Sequence, residues 1–389
     1  MYDSFPAQLL DYHRSMLTDE FRTRNFLRAI LQVVKPGDVV LDIGSGSGIL
    51  AYFACMAGAR KVYAVEEGEI VEVAKAVCRH NGLQDRVVFI DDISTNITLP
   101  EPADVLITET IGNIGFEEGI LGWVVDARKR LLVEDARMIP AAVRMYLAPV
   151  ERPREGVYLA DWQREFYTFD FTPVHKIASN HLQLCKLHES HQLGEAKLLA
   201  SADLRSATNV HVDGVQTFTA RRDGSLDGLG AWFEADLADG ISISTAPPNP
   251  TESWSNIFFP LSERHSISAG DQIGVHVRSR ENSSHWEWQV LVAKPATNGS
   301  NPAVRFRATG STETGEMYPD RPRSATMRPT RNFEAEIDLF ILQRMDGKLT
   351  QVEIATALTQ AFIEHFNSTG AAHDRVQEVV DGYSRTNPN

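Results

Sequence analysis

VVLDIGSGSGI (39–49) is the stretch that decides the fold. An apolar run suited to a buried strand reaches Asp42, and Gly44, Gly46 and Gly48 follow before a helical stretch. A turn this tight needs the backbone freedom of glycine and lets a ligand approach the main chain closely. The helix that starts there offers free N–H groups and a positive dipole end to an anionic group. Working outward, DVVLDI (38–43), KVYAVE (61–66), RVVFID (86–91) and DVLITE (104–109) read as strands, with helices over 48–58, 68–82 and 117–132. Short apolar strands alternating with helices predict a parallel sheet covered on both faces: a Rossmann-like α/β domain over 37–140.

Residues 1–36 carry apolar side chains at helical spacing, among them Leu9, Leu10, Met16, Leu17, Phe26, Leu27, Ile30 and Leu31, and Pro36-Gly37 ends the helix. After Ile139-Pro140 the pattern turns to β: VQTFTA, GAWFEADL, NIFFPL, QIGVHVRS and HWEWQVLVA predict an antiparallel β-barrel domain over 141–306. A more helical, His-containing segment at 160–195 interrupts it. A Gly-, Pro-, Ser- and Thr-rich stretch at 307–332 reads as a linker, and 333–389 return to helical periodicity as a small domain.

The formal net charge of −14 repels phosphate backbones, no basic patch offsets it, and so no nucleic-acid partner is expected. Such a surface suits a cationic partner, and equally serves plain solubility. Three cysteines (Cys55, Cys78, Cys185) form no CxxC pair, which fits a reducing compartment. The opening residues show no signal-peptide pattern, and no apolar run approaches the ~20 residues of a membrane span. A cytoplasmic protein without a membrane partner is the expectation. His181, Cys185, His188 and His191 match no standard zinc spacing, so no metal is expected.

The glycine spacing separates two cofactor classes. A dinucleotide fingerprint wants Gly or Ala where this chain has Ile49. GxGxG preceded by Asp42 is instead the pattern of enzymes that bind S-adenosylmethionine. Glu66, 22 residues after Gly44 at the end of the second strand, can accept both ribose hydroxyls. TETIGNIGFEE (108–118) then sets Glu109 at the end of the fourth strand and Glu118 nine residues on. Two carboxylates converging on one spot repel each other and call for a cation between them. A guanidinium, always charged and planar, fits through bidentate bonds. Glu117 competes with Glu118 for the role, and a solvated first-turn helix residue is the plainer reading of Glu118.

With these residues in view, roughly 2–292 resembles the protein arginine N-methyltransferase family, as a bacterial-type member with an added C-terminal helical domain. VLDIGSGSGIL and GARKVYAVE match its cofactor motifs, and TETIGNIGFEEGIL resembles its double-glutamate loop. YHRSMLTDEFRT (11–22) resembles the helix that covers the cofactor. The resemblance implies that His13 and Met16 face the active site and that Arg22 binds the methionine carboxylate. It implies that 160–195 is the arm of a homodimer. Two positions depart from the family: Thr110 replaces the usual Trp, and Glu252-Ser253-Trp254 replaces Thr-His-Trp, keeping Trp254 against the substrate. The implied acceptor is arginine in a protein or peptide, with free L-arginine as the alternative and a catalytically inactive dimeric scaffold as a third reading. LFILQRMDGKLTQVEIATALTQAF (339–362) faintly resembles the small winged-helix domains that hold precursor peptides.

Overall fold

Asp19 divides the N-terminal helical stretch. Its carboxylate accepts the Arg22 N–H at 3.0 Å, capping α2 (Glu20–Val33) and ending α1 (Ala7–Thr18) just before it. The computed structural model describes residues 7–151, 159–279, 285–294, 304–312, 333–362, 365–366 and 369–383. The chain divides into two units, Met1–Pro319 and Asp320–Asn389.

The α/β layer runs β1 (Val39–Ile43), α3 (Ile49–Met56), β2 (Lys61–Val65), α4 (Ile70–His80), β3 (Val87–Ile90), β4 (Ala103–Thr108), α5 (Ile120–Arg130) and β5 (Leu132–Ile139). All pairings are parallel, in the order β3-β2-β1-β4-β5. β5 had no counterpart in the sequence reading. Its LVEDARMI breaks the apolar run with Glu134, Asp135 and Arg137, as an edge strand allows, and Arg137 pairs with Asp38 at 2.9 Å. β1 is central and its side chains are buried along its whole length. The chain winds outward from β1 to β3 and then crosses back to β4. The strand order therefore reverses between β1 and β4, where open α/β sheets form a ligand crevice.

Beyond Pro140 the chain builds two antiparallel sheets. One sets Lys197–Asp203, β6 (Ala142–Val150), Gly224–Ala238, Asn256–Ile267 and Gln183–Cys185 side by side, with Ile241–Ser244 paired to Gly224–Ala238. The other holds Asp213–Thr219, Gln272–Ser279, Trp286–Ala293 and Val304–Ser311. Phe218, Phe233, Phe259, Trp286 and Trp288 are buried in the core they share. The Val304–Ser311 strand carries the second sheet past residue 306, into what reads as linker in sequence; 313–332 lie outside the described residues. The helical expectation for 160–195 holds for residues 160–161, for the helix Thr172–Ala178 and for the short 3-10 turn Glu189–His191. A hairpin of Glu165–Phe166 and Phe169–Asp170 precedes that helix, and Gln183–Cys185 joins the first sheet opposite Asn256–Phe258.

The second unit packs Phe333–Leu342, Gln351–Ala361 and Thr369–Tyr383 around Ile337, Ile341, Ile354, Leu358, Val376 and Val379. Thr350 and Glu353 close a reciprocal capping box at the start of the middle helix. Among the described residues this unit contains no strand, so the wing of a winged-helix domain has no counterpart there.

Candidate functional site

The loops after β1, β2, β3 and β4 open into one cavity of about 420 Å³, walled also by α1, α2 and residues 253–255. Gly44 and Gly46 take φ of 71° and 52°, in the left-handed region that favours glycine. A Cβ at Gly46 would come within 3.0 Å of the His13 ring, so His13 lies directly against the loop. Burial and then the Arg22 charge hold the His13 imidazole below its usual pKa. The Glu66 carboxylate is pre-set at the wall: one oxygen accepts Gly46 N–H at 2.8 Å and the other accepts Gly68 N–H at 2.9 Å. Met16 also lines the cavity.

Two of the expected cofactor residues stand behind the wall. Gly48 starts α3 with φ of 85° and packs on Tyr52; it shapes the turn without lining the cavity. Asp42 is wholly buried in the sheet, where burial and then Glu66 push its carboxyl up to about 7. Asp92, Ile93 and Ser94 line the cavity and were missed. They directly follow β3, and the rule that ligands sit at carboxyl ends of strands would have found them.

The three acids of the Glu109–Glu118 loop do different things. Glu109 faces the cavity and its carboxylate is paired with the Arg22 guanidinium; the two side chains are 9% and 6% exposed. Glu118 opens onto the cavity. The surrounding walls withhold bulk water from it and Glu109 and Glu117 stand nearby, which raises its carboxyl to about 8. Glu117 turns away into its own loop, accepting the N–H groups of Asn113 and Ile114 at 2.7 Å each. Gly112 makes room for it, since a Cβ there would meet Glu117 Cγ at 2.5 Å. Glu117 is thus the brace of the loop and Glu118 the acid presented to the cavity.

Sequence reasoning also missed Asp19. Besides capping α2, its second oxygen accepts Glu252 N–H and Ser253 N–H at 2.9 Å each and Ser253 Oγ–H at 2.7 Å. This buried carboxylate clasps the N-terminal helices to the loop that carries Trp254. The Trp254 ring lies 5.4 Å from the Arg22 guanidinium carbon and edge-on to Phe233 at 5.1 Å. Asn113 Oδ1 accepts Ser255 N–H at 2.8 Å, tying the same loop to the Glu109–Glu118 segment.

A family model of the PRMT5 oligomerisation domain matches residues 148–370, more than half of the chain, and one of ribosomal protein L11 methyltransferase matches 21–126. Arginine N(omega)-methyltransferase of Streptomyces achromogenes subsp. streptozoticus is 32% identical over 68% of this chain and 75% of its own length. The chain belongs to the protein arginine methyltransferase family. A probable histone-arginine methyltransferase 1.4 of Arabidopsis thaliana is 32% identical over 77% of this chain. The chain spans 60% of the length of that relative and 64% of the rice CARM1-type relatives. Among solved structures, protein arginine methyltransferase 10 of Arabidopsis thaliana matches with a TM-score of 0.67 and 26% identity, covering 78% of this chain and 100% of that one. The Trypanosoma brucei PRMT1 enzyme–prozyme complex with AdoHcy shares the fold at a TM-score of 0.67 and 22% identity, covering 77% of this chain and 97% of its own. Both departures from the family's sequence pattern stand in the cavity wall of this member, Thr110 beside Gly44 and Ser253 in the Asp19 clasp.

Proposed function

We propose that the protein transfers a methyl group from S-adenosylmethionine to an ω-nitrogen of arginine in a protein or peptide. One observation carries this: Glu109 and Glu118 face the cavity that Gly44, Gly46 and Glu66 also line. The residues suit the cofactor. Arg22 has a buried Nε–H without a hydrogen-bond partner, ready for a carboxylate, and Glu66 is already oriented for a ribose diol. In this reading Gly44 and Gly46 allow close backbone approach, His13 and Met16 cover the site, and Trp254 flanks the acceptor. The cofactor supplies an electrophilic methyl on a sulfonium. Glu109 and Glu118 hold the guanidinium and aim one nitrogen; Glu118, ionised by the bound cation, can take the proton that nitrogen gives up.

Transfer of radiolabelled methyl to an arginine peptide, to cell lysate and to free L-arginine tests the reading. Glu109→Gln and Glu118→Gln should each lower turnover about a hundredfold, the ~3 kcal/mol lost with one orienting charge. Glu117→Gln should act through loop stability instead. Near-normal turnover by Glu109→Gln refutes an arginine acceptor. Free L-arginine remains the second reading, favoured by the similarity to the Streptomyces enzyme and by Thr110 and Ser253 in the wall. Two acids kept facing the cavity speak against an inactive scaffold.

The assembly proposed is a homodimer through the 160–195 arm. Tyr167 and Phe169 on its hairpin are 94% and 70% exposed, the kind of apolar surface a partner covers, and the oligomerisation-domain match includes them. No helix among the described residues is long and apolar enough to cross a membrane. Free Cys55 and Cys78 suit the cytoplasm, and the acidic surface suits a cationic acceptor rather than nucleic acid. The unit over 333–389 is proposed to recognise a peptide acceptor.

A further inference from the structure

Arg22 belongs to two sites at once. Its Nη2–H donates to Glu109, its Nη1–H donates to Met16 O at 3.2 Å, and its Nε–H is buried without a partner. The flat Trp254 and Phe26 rings pack around the guanidinium at 5.4 and 5.9 Å. Water is therefore largely kept from a cation that lies against one of the two acids assigned above to the acceptor. A second guanidinium approaching Glu109 would meet a carboxylate whose charge is already compensated, and would be repelled by the cation that compensates it.

We propose that Arg22 couples the two sites by exchange: the carboxylate of the cofactor takes over Arg22, and Glu109 is freed for the guanidinium of the acceptor. This rests on the function proposed above. The side chain is built for it, since the unpartnered Nε–H gives an arriving carboxylate a first hydrogen bond before the bond to Glu109 is given up. Cofactor then binds before acceptor. Linkage makes the effect mutual, so the acceptor must tighten the cofactor by the same factor.

The test is calorimetric and needs no turnover. L-Arginine and an arginine-containing peptide are titrated into the full chain alone, saturated with S-adenosylhomocysteine, or saturated with 5′-methylthioadenosine, which keeps the nucleoside and thioether but has no carboxylate. S-Adenosylhomocysteine should tighten acceptor binding about tenfold or more, within the range usual for coupled sites. Methylthioadenosine should leave it unchanged. Arg22→Gln should abolish the difference between the two ligands; the wild-type series decides the matter if that variant misfolds. Equal acceptor affinity in all three states overturns the coupling, as does an equal effect of methylthioadenosine. Binding of neither acceptor in any state refutes the acceptor reading itself, and the coupling with it.

Discussion

Asp19→Ala removes a carboxylate that accepts four hydrogen bonds from two distant segments. Loss of the N-cap of α2 costs about 1 kcal/mol. Each of the three bonds from Glu252 N, Ser253 N and Ser253 Oγ to an ionised acceptor contributes about 1.5–3 kcal/mol. The loop amides recover part of this by turning to water, so a net loss of about 3–5 kcal/mol is expected. Ser253→Ala removes only the hydroxyl bond and should cost about 1.5 kcal/mol. Asp19→Asn keeps an acceptor for the cap but turns an amide NH₂ toward donors of the loop, and should fall between them. Urea unfolding followed by tryptophan fluorescence reads the series, because Trp254 sits on the clasped loop. Acid supplies an internal check. Burial pushes the Asp19 carboxyl up, but bonds from Arg22, Ser253 and Glu252 outweigh it and hold the group below its usual range. Its stabilisation is therefore present above the unfolded pKa of about 4 and lost as pH falls through the lower folded value, so wild type and Asp19→Ala should converge in acid. Binding of S-adenosylhomocysteine to Asp19→Ala should weaken about tenfold, since Arg22 sits on the uncapped first turn. Stability within about 1 kcal/mol of wild type, with unchanged ligand affinity, would refute the clasp.

Three further outcomes are expected. Glu66→Ala should weaken S-adenosylhomocysteine by one or two charge-assisted bonds of about 1.5–3 kcal/mol each, and unchanged calorimetric affinity removes Glu66 from the site. With the Glu118 carboxyl near 8, an incoming guanidinium must displace its proton. Acceptor kcat/KM should therefore rise from pH 6.5 to about 8.5, and this slope should vanish in Glu118→Gln; a flat wild-type profile contradicts the role. Tyr167→Glu combined with Phe169→Glu should turn a dimer into a monomer in light scattering, and a monomeric intact chain ends the arm assignment; these positions leave the Gln183–Cys185 strand in its sheet.

The alternation of strands and helices, the glycine turn, and Glu66 and Glu109 at strand ends were legible in the sequence because each depends on neighbours along the chain. Gly44 and Gly46 are needed for their own backbone angles, and a residue at a strand's carboxyl end reaches the crevice whatever packs elsewhere. Tertiary structure decided what depends on direction or distance. Glu117 and Glu118 are adjacent and chemically alike, and only the path of the loop turns one inward onto Asn113 and Ile114 and the other toward the cavity. β5 carries charged residues in mid-strand because it lies at an edge, a position that strand order sets and composition conceals. Arg22 meets Glu109 from 87 positions away, and Asp19 meets Ser253 from 234. Such pairings exist only once the helices have folded down on the sheet and the second domain has closed against them, where burial makes each unpaired charge costly.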